Sequence, residues 1–253
     1  MSTPQLPSAS VSPARPEGLE RIRTLWRLWR NEREDPEPFY SLLAAEAADD
    51  LAERYGPMQG RVIADIGCGP GYYARAFVAA GAQVIAIDGA TDEMGAADAP
   101  PPGAVVADAA HQPLPTASVD GAFCSNLLEH ARDTDGVIRE LERITRPGGW
   151  VYLSWTNWYS PWGGHDMTPY HLLGPERGPK LYEKRHGPPR KNRYGEGLFA
   201  VHIGPTLRLV EARPGLEIER VEPRYYPWAS FIMHIPGVRE VLSWNCVIRC
   251  RRV

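Results

Sequence analysis

The run RVIADIGCGPGYYARAFVAAGAQVIAID, residues 61–88, decides the fold. It predicts a buried strand in RVIADIG, a helix in YYARAFVAAG with Gly81 just past its end, and a second strand in QVIAID. Further strands are predicted at GAVVAD (103–108), SVDGAFCS (118–125) and WVYLSW (150–155), and helices at Leu127–Ala131 and Thr134–Thr145. Apolar strands that alternate with helices predict a parallel sheet covered on both faces, with ligands bound beyond the carboxyl ends of the strands.

The segments around this core differ in composition. Residues 1–17 are a Pro-rich tail predicted to be disordered, residues 18–56 carry N-terminal helices, and residues 57–253 make up the main domain. Within that domain, residues 156–195 lack clear periodicity and are predicted to be an irregular insertion on the substrate side. A helix is predicted at His202–Ala212, and strands at Glu217–Tyr226 and Trp244–Arg251.

The segment 18–33, GLERIRTLWRLWRNER, predicts an amphipathic basic helix. Leu19, Ile22, Trp26 and Trp29 recur at helical spacing, and arginines fill the positions between them. Such a helix either packs its Trp-rich face on its own domain, which is the favoured interpretation, or lies on a membrane surface or a partner.

Composition limits the function classes. Of the 253 residues, 43% are hydrophobic and 23% charged, which excludes disordered, fibrous and membrane-spanning classes. No signal-like apolar segment opens the chain, so we expect a cytoplasmic protein. The net charge of −3 gives no overall reason to expect a nucleic-acid partner. The four cysteines form no CxxC pair and no zinc spacing, which indicates reduced thiols and no metal site.

The strongest chemical signal is the loop DIGCGPG, residues 65–71, between the first strand and its helix. Its glycines allow a ligand to lie on the backbone, and the amides at the helix start attract an anion. Tyr72 stands where a dinucleotide pattern requires glycine, and no Lys-Ser/Thr pair follows as in a Walker phosphate loop. The Asp65 carboxylate beside these amides suits a zwitterion, because it can bind an ammonium group while the amides bind a carboxylate.

Two more acidic residues follow strands of the same sheet. Asp88 ends the second strand, where a carboxylate can accept both hydroxyls of a ribose. Asp108 ends the next strand, where it can accept from the exocyclic amine of a purine. Together with Asp65, these strand ends predict a nucleoside ligand with an amino-acid tail.

The run from Asp65 to Trp155 resembles the class I S-adenosylmethionine-dependent methyltransferases. DIGCGPG is similar to their first motif, AID to their ribose-binding strand end, ADAAHQPLP with VDGAFCSNLLEH to their adenine-side region, and RPGGWVYLS to their fifth-strand motif. The flanking GGHDM, KNRYG and LFAV resemble an actinobacterial group of such enzymes. The resemblance implies an α/β fold: a doubly wound, Rossmann-like, seven-stranded mixed sheet with an antiparallel last strand.

The same resemblance implies S-adenosyl-L-methionine as cofactor and S-adenosyl-L-homocysteine as product. It places Gly67, Gly69 and Gly71 against the cofactor and Asp65 at its amino-acid end. It also places Asp88 at the ribose, Asp108 and Ala109 beside adenine, and Asn126 beside the methionine moiety, and it counts Gly89 among the cofactor-binding residues.

Candidate catalytic residues are His130 and His165. The resemblance places His130, which closes NLLEH, near the transferred methyl group, and an imidazole titrates in the range that suits a general base. A purely structural role is equally compatible with a histidine at a helix end. His165 beside Asp166 and His171 beside Tyr170 are alternatives in the insertion, where Asp166 either orients an imidazole or caps a helix.

The acceptor side is marked by aromatic residues just after the predicted fifth strand. Trp158, Trp162 and Tyr170, with His165 and His171, are the candidate substrate-binding residues and favour an apolar or aromatic acceptor. Core packing of the insertion explains the same residues equally well. Basic residues between Arg177 and Arg193 suit either an acidic substrate or a solvated face.

Three functional hypotheses follow. The first is a methyltransferase that moves a methyl group in line to an O, N or C nucleophile of a small or medium, partly apolar molecule. The second is a cofactor-binding domain without methyl transfer, either structural or catalysing a cyclisation or rearrangement. The third is a lipid-directed methyltransferase that contacts a membrane surface through residues 18–33.

Overall fold

The sheet is built from seven strands that the sequence largely predicts. The computed structural model describes residues 18–32, 34–94, 101 and 104–253, so the predicted tail at 1–17 lies outside the described residues. The strands are β1 (Val62–Ile66), β2 (Gln83–Asp88), β3 (Val105–Val106), β4 (Val119–Ser125), β5 (Thr145–Thr156), β6 (Leu216–Pro223) and β7 (Asn245–Arg252).

The strand order is β3-β2-β1-β4-β5-β7-β6. Strands β1 to β5 pair in parallel, whereas β7 is antiparallel to both of its neighbours, β5 and β6. The predicted seven-stranded mixed sheet with an antiparallel last strand is therefore confirmed. Because β1 to β6 run the same way, their carboxyl ends meet at one edge, which we call the carboxyl edge.

Eight α-helices and four 3₁₀ segments lie within the described residues. The helices are α1 (Gly18–Asn31), α2 (Glu37–Tyr55), α3 (Tyr72–Ala79), α4 (Thr91–Met94), α5 (Thr134–Ile144), α6 (Arg177–His186), α7 (Ile203–Glu211) and α8 (Val238–Leu242). The 3₁₀ segments are Leu128–His130, His165–Met167, Tyr170–Leu173 and Pro227–His234.

Alternation along the central strands divides the core into two layers. Phe123 and Tyr152 face helices α2 and α3, whereas Cys124, Leu153 and Trp155 face α5 and α7. All five side chains are buried. The two faces of the central strands are therefore covered by apolar side chains.

All four cysteines are free, as the sequence predicts, and all four are buried. Cys246 and Cys250 share one face of β7, in the layer next to α5 and α7. Burial raises the pKa of Cys250 to about 12 and raises the pKa of the other three thiols as well. The thiols are therefore protonated and poor nucleophiles in the folded protein.

The chain divides into two compact units, Met1–Phe39 and Tyr40–Val253. In the first unit, α1 has the amphipathic character that its sequence predicts, with Leu19, Ile22 and Trp26 exposed and Leu25 buried. The Trp26 and Trp29 rings are 4.9 Å apart. None of the helices in the described part of the chain combines the length and apolar character that a membrane crossing demands. The membrane-surface role of residues 18–33 stays a prediction.

Four local expectations need correction. The strand predicted at 103–108 is only Val105–Val106, and the helix predicted at Leu127–Ala131 is a single 3₁₀ turn. The strand predicted at Glu217–Tyr226 ends at Pro223, which places Arg224 beyond it. The insertion is not wholly irregular, because it contains α6 and two 3₁₀ segments.

Candidate functional site

The carboxyl edge brings the glycine loop and the end of β2 into direct contact. The Asp88 Oδ2 atom accepts a hydrogen bond from the Gly69 N–H at 2.8 Å, and Oδ1 accepts one from the Ala90 N–H at 2.9 Å. The Gly67 N–H donates to the Ile87 carbonyl at 2.7 Å. Asp88 therefore fixes the loop as well as lying where the sequence predicts a ribose.

Asp65 lies beneath this loop and is buried. Its Oδ2 atom has no hydrogen-bond partner within the described residues. Burial raises the pKa of Asp65 to about 7; a hydrogen bond from the Ala74 backbone at the start of α3 lowers it, and the nearby Asp88 charge raises it. The ionised form of a buried carboxylate with an unpartnered oxygen is stabilised most by a nearby cation.

The three glycines of the loop have positive φ angles, and each has a different environment. At Gly67 (φ +74°) a Cβ atom would come within 2.9 Å of Leu127 Cδ1. At Gly71 (φ +81°) it would come within 2.7 Å of Pro101 Cβ. At Gly69 (φ +48°) it would meet no atom within 4 Å, so the loop leaves open space at Gly69.

The end of β3 adds a carboxylate of a different kind. Asp108 is exposed, and its Oδ1 accepts from the Ala110 N–H at 2.8 Å. That backbone bond, followed by the bond to His111, lowers the pKa of Asp108. Asp108 is therefore an ionised, accessible acceptor two residues beyond β3. Ala109 is half-buried, and Gly89 is exposed.

Asn126 follows β4 on the other side of the loop. Its backbone has a φ of +55°, and its N–H donates to the Ser154 carbonyl at 2.8 Å. Its Oδ1 atom accepts from Asn245 Nδ2 at 2.8 Å. Asn126 thus connects the ends of β4 and β5 to the start of β7.

Two imidazoles, from the segments that follow β4 and β5, lie close to each other. His130 Nδ1 is 2.7 Å from the Gly197 carbonyl oxygen. Since a carbonyl only accepts, Nδ1 donates, and Nε2 carries the free electron pair of the neutral ring. The His165 ring is 5.2 Å from the His130 ring, edge to face. Burial, and then the neighbouring His130, lower the pKa of His165, so His165 is neutral near pH 7.

Comparison with known proteins settles the family. The family described as methyltransferase domain matches residues 64–153. An uncharacterized methyltransferase of Mycobacterium marinum is 41% identical over 245 residues, covering 93% of this chain and 95% of the relative. A relative of the same description from Mycobacterium tuberculosis is 40% identical, covering 93% and 96%. The chain belongs to the methyltransferase family. The predicted enzyme class and its cofactor, S-adenosylmethionine, are confirmed.

Solved structures share the fold of this methyltransferase. An S-adenosylmethionine-dependent methyltransferase of Mesorhizobium loti has a TM-score of 0.56 at 23% identity, covering 81% of this chain and 96% of that protein. The [4+2]-cyclase SpnF has a TM-score of 0.52 at 20% identity, covering 82% and 81%.

Two observations show that the residues of this methyltransferase fit S-adenosylmethionine. The unpaired, buried Asp65 Oδ2 suits the ammonium group of the amino-acid end. The open space at Gly69 allows a ligand to lie against the backbone, where a side chain would obstruct it. The individual contacts predicted for Asp108, Ala109, Gly89 and Asn126 stay predictions.

Binding of S-adenosylhomocysteine should strengthen with pH. The ammonium group of the ligand binds the ionised form of Asp65. Because the pKa of Asp65 is about 7 in the free protein, a proton occupies this carboxylate below that pH and competes with the ligand. We expect the Kd to be about tenfold higher at pH 6 than at pH 8, as measured by titration calorimetry. Asp65→Asn should bind more weakly and without this pH dependence. An unchanged dependence in that variant would contradict the assignment.

Gly69→Ala should weaken S-adenosylhomocysteine binding by tenfold or more without unfolding the protein. The new methyl group meets no protein atom but occupies the open space against the loop. Gly148→Ala is the matched control, because Gly148 also has positive φ (+79°) and no neighbour within 4 Å, but lies before Trp150 at the opposite edge. Both variants should lose about 1–2 kcal/mol of stability from left-handed strain. Equal affinities in the two variants would contradict the prediction.

The predicted substrate-binding residues separate into two groups. Trp158 and His171 are buried, and the His171 Nε2 donates to the Ser160 carbonyl at 2.9 Å, so both pack the insertion. Burial lowers the pKa of His171. The Tyr170 hydroxyl is 3.0 Å from His186 Nε2 on α6. Trp162 is half-buried, and its ring lies 4.6 Å from that of Trp244.

Asp166 neither caps a helix by its side chain nor bonds an imidazole within the described contacts. Its Oδ2 accepts from the Lys191 N–H at 3.4 Å. The following 3₁₀ segment starts after Pro169 and has no side-chain cap.

Two residues at the carboxyl edge were missed by sequence reasoning. Glu129 is buried, accepts the Thr156 N–H through Oε1 at 2.9 Å, and has an unpartnered Oε2 within the described residues. Its position in NLLEH was the available signal. Arg224 follows β6 and reaches Ser125 at the end of β4. Because the strand was predicted to continue to Tyr226, Arg224 was not recognised as a residue at a strand end.

Proposed function

We propose that this methyltransferase acts in the cytoplasm and transfers a methyl group in line to an O, N or C nucleophile of a small or medium, partly apolar molecule, with His130 as general base. The observation that carries the proposal is the fixed His130 ring. Its Nδ1–H is engaged by Gly197, so Nε2 is the basic atom.

S-adenosylmethionine, when bound, supplies an activated methyl group on a sulfonium. Asp65 would hold its ammonium group, the backbone at Gly69 would lie against it, and Asp88 would accept from its ribose hydroxyls. These three residues act by positioning, which for a bimolecular transfer supplies a large part of the acceleration.

His130 is suited to remove the proton of the acceptor nucleophile. The Gly197 carbonyl stabilises the Nδ1–H as Nε2 gains the proton, so the ring keeps its orientation when it becomes a cation. His165 stays neutral beside it because burial opposes a second charge.

Aromatic residues support an acceptor that is partly apolar. Trp162 and Trp244 contact each other edge to face, and the Tyr226 ring lies 5.8 Å from Trp244. Trp244 directly precedes Asn245, which bonds Asn126, so this aromatic cluster adjoins the polar end of β4. Such rings bind apolar or aromatic groups.

The test is product analysis with the wild-type chain. The protein is incubated with S-adenosylmethionine carrying an isotopically labelled methyl group and with a fractionated metabolite pool, and products are identified by mass spectrometry. We expect label in one class of small molecule. If S-adenosylhomocysteine binds but no fraction gains label, and a pool component is instead cyclised or rearranged, the proposal is wrong and the second hypothesis holds.

A further inference from the structure

Arg224 places a buried positive charge at the carboxyl edge. The residue directly follows β6, and its backbone N–H donates to the Asn245 carbonyl at 2.9 Å. The residue is 7% exposed. An arginine keeps its charge even when buried, so this position carries a cation at every physiological pH.

The partners of the Arg224 guanidinium are neutral. Nη1 donates to Ser125 Oγ at 2.9 Å, with Ser154 Oγ and Asn126 Oδ1 both at 3.4 Å. Nη2 donates to the Tyr73 hydroxyl, whose ring centroid is 5.5 Å from the guanidinium carbon. These bonds engage Nη1 and Nη2, and none of them involves Nε.

Arg249 provides the contrast. It is equally buried, on the adjacent strand β7, yet it pairs with Glu222 at 2.6 Å and with Asp50 at 2.8 Å. Within the described residues, Arg224 has no such carboxylate partner. A buried charge without a counter-ion is strongly unfavourable, so the contrast points to an anion supplied by a ligand.

The position of Arg224 indicates which ligand. The three acidic strand ends that fit the cofactor belong to β1, β2 and β3, on one side of β4. Arg224 comes from β6, on the other side, and contacts Ser154 of β5 and Ser125 of β4. Its contacts with Asn126 and with Tyr73 of α3 place the charge where the cofactor side of the carboxyl edge meets the half that is left for the acceptor.

We propose that Arg224 binds a carboxylate group of the methyl acceptor, so that the acceptor class is a carboxylate-bearing, partly apolar molecule. This rests on the proposed function. A guanidinium with available N–H donors binds a carboxylate through two parallel hydrogen bonds. Such a pair orients the acceptor and selects for a negatively charged one.

The test compares benzoate with benzamide, its neutral analogue, on the S-adenosylhomocysteine-loaded protein. At about five times its Kd, benzoate should raise the Tm by about 2–4 °C at constant ionic strength, whereas benzamide should not. Arg224→Met should lose the benzoate shift. Arg146→Met is the matched control, because Arg146 lies at the start of β5, at the opposite edge of the sheet, and pairs with Asp120, and it should keep the shift.

Each other outcome overturns the proposal. No preference for benzoate in the wild-type chain, or a shift that survives Arg224→Met, removes the carboxylate site. A tenfold loss of S-adenosylhomocysteine affinity in Arg224→Met, with unchanged affinity for methylthioadenosine, assigns the anion to the cofactor instead. If Arg224→Met fails to fold, Arg224→Lys replaces it and should bind benzoate more weakly, because an ammonium lacks the planar fork. Failure of the wild-type chain to bind S-adenosylhomocysteine would instead refute the proposed function.

Discussion

Asp88→Ala should reduce S-adenosylhomocysteine binding at least a hundredfold, below detection in a titration that saturates the wild-type chain. The change removes two acceptors at once, since Asp88 holds the Gly69 N–H and the Ala90 N–H. It also removes the carboxylate predicted to bind ribose. A tenfold loss of affinity corresponds to about 1.4 kcal/mol, so a hundredfold loss corresponds to about 3 kcal/mol of binding free energy. Two charge-assisted hydrogen bonds from the ribose hydroxyls to Asp88 would supply that amount.

Asp120→Ala is the control for this variant. Asp120 is also a carboxylate that accepts a backbone N–H, that of Val62 at 2.8 Å, but it lies at the opposite edge of the sheet. Both variants should lower the Tm, and only Asp88→Ala should lose the ligand. Asp88→Asn should be intermediate, because an amide keeps one acceptor oxygen and turns a donor towards the other N–H. Full binding by Asp88→Ala would refute the assignment of this carboxylate.

His130→Gln should lower the rate of methyl transfer by about 10²–10⁴-fold, with S-adenosylhomocysteine affinity changed less than about twofold. Glutamine can still donate to the Gly197 carbonyl but cannot take a proton, so the variant separates base chemistry from local structure. The rate is measured with labelled cofactor on the acceptor identified by product analysis.

His165→Gln and His234→Gln complete the experiment. His165 is the neutral neighbour of His130, so its replacement should have a smaller effect on the rate than that of His130. His234 is exposed at the end of the Pro227–His234 segment and should have none. If His165→Gln slows transfer more than His130→Gln, the base is His165. If neither does, the acceptor nucleophile needs no base.

Much of the fold follows from sequence periodicity because the central strands are continuous apolar runs. Residues 83–88 and 134–144 were predicted to within one residue. The strand predicted at 103–108 was too long, since only Val105 and Val106 pair with β2. The helix α6, RGPKLYEKRH, was missed because its apolar side chains, Pro179, Leu181 and Tyr182, give no helical period.

The site was predictable where it depends on the backbone turn, and less so where it depends on distant residues. Asp65, Gly69 and Asp88 are linked within one β-α-β unit, so their spacing in the sequence carries their geometry. The bond from His130 to Gly197 spans 67 residues, and that from Arg224 to Ser125 spans 99. No local sequence pattern predicts such contacts, because they form only when the folded chain brings the insertion and the end of β6 next to the end of β4.

The four buried cysteines have a practical consequence for an enzyme exposed to peroxide. Oxidation to sulfenic acid begins with a thiolate that the oxidant can reach, and burial disfavours both the thiolate and its access in all four cysteines. Cys68 is the one at stake, since it lies within the glycine loop itself. Native protein should therefore pass through oxidative stress with its donor-binding loop chemically intact, and alkylating reagents should report only on molecules that have unfolded.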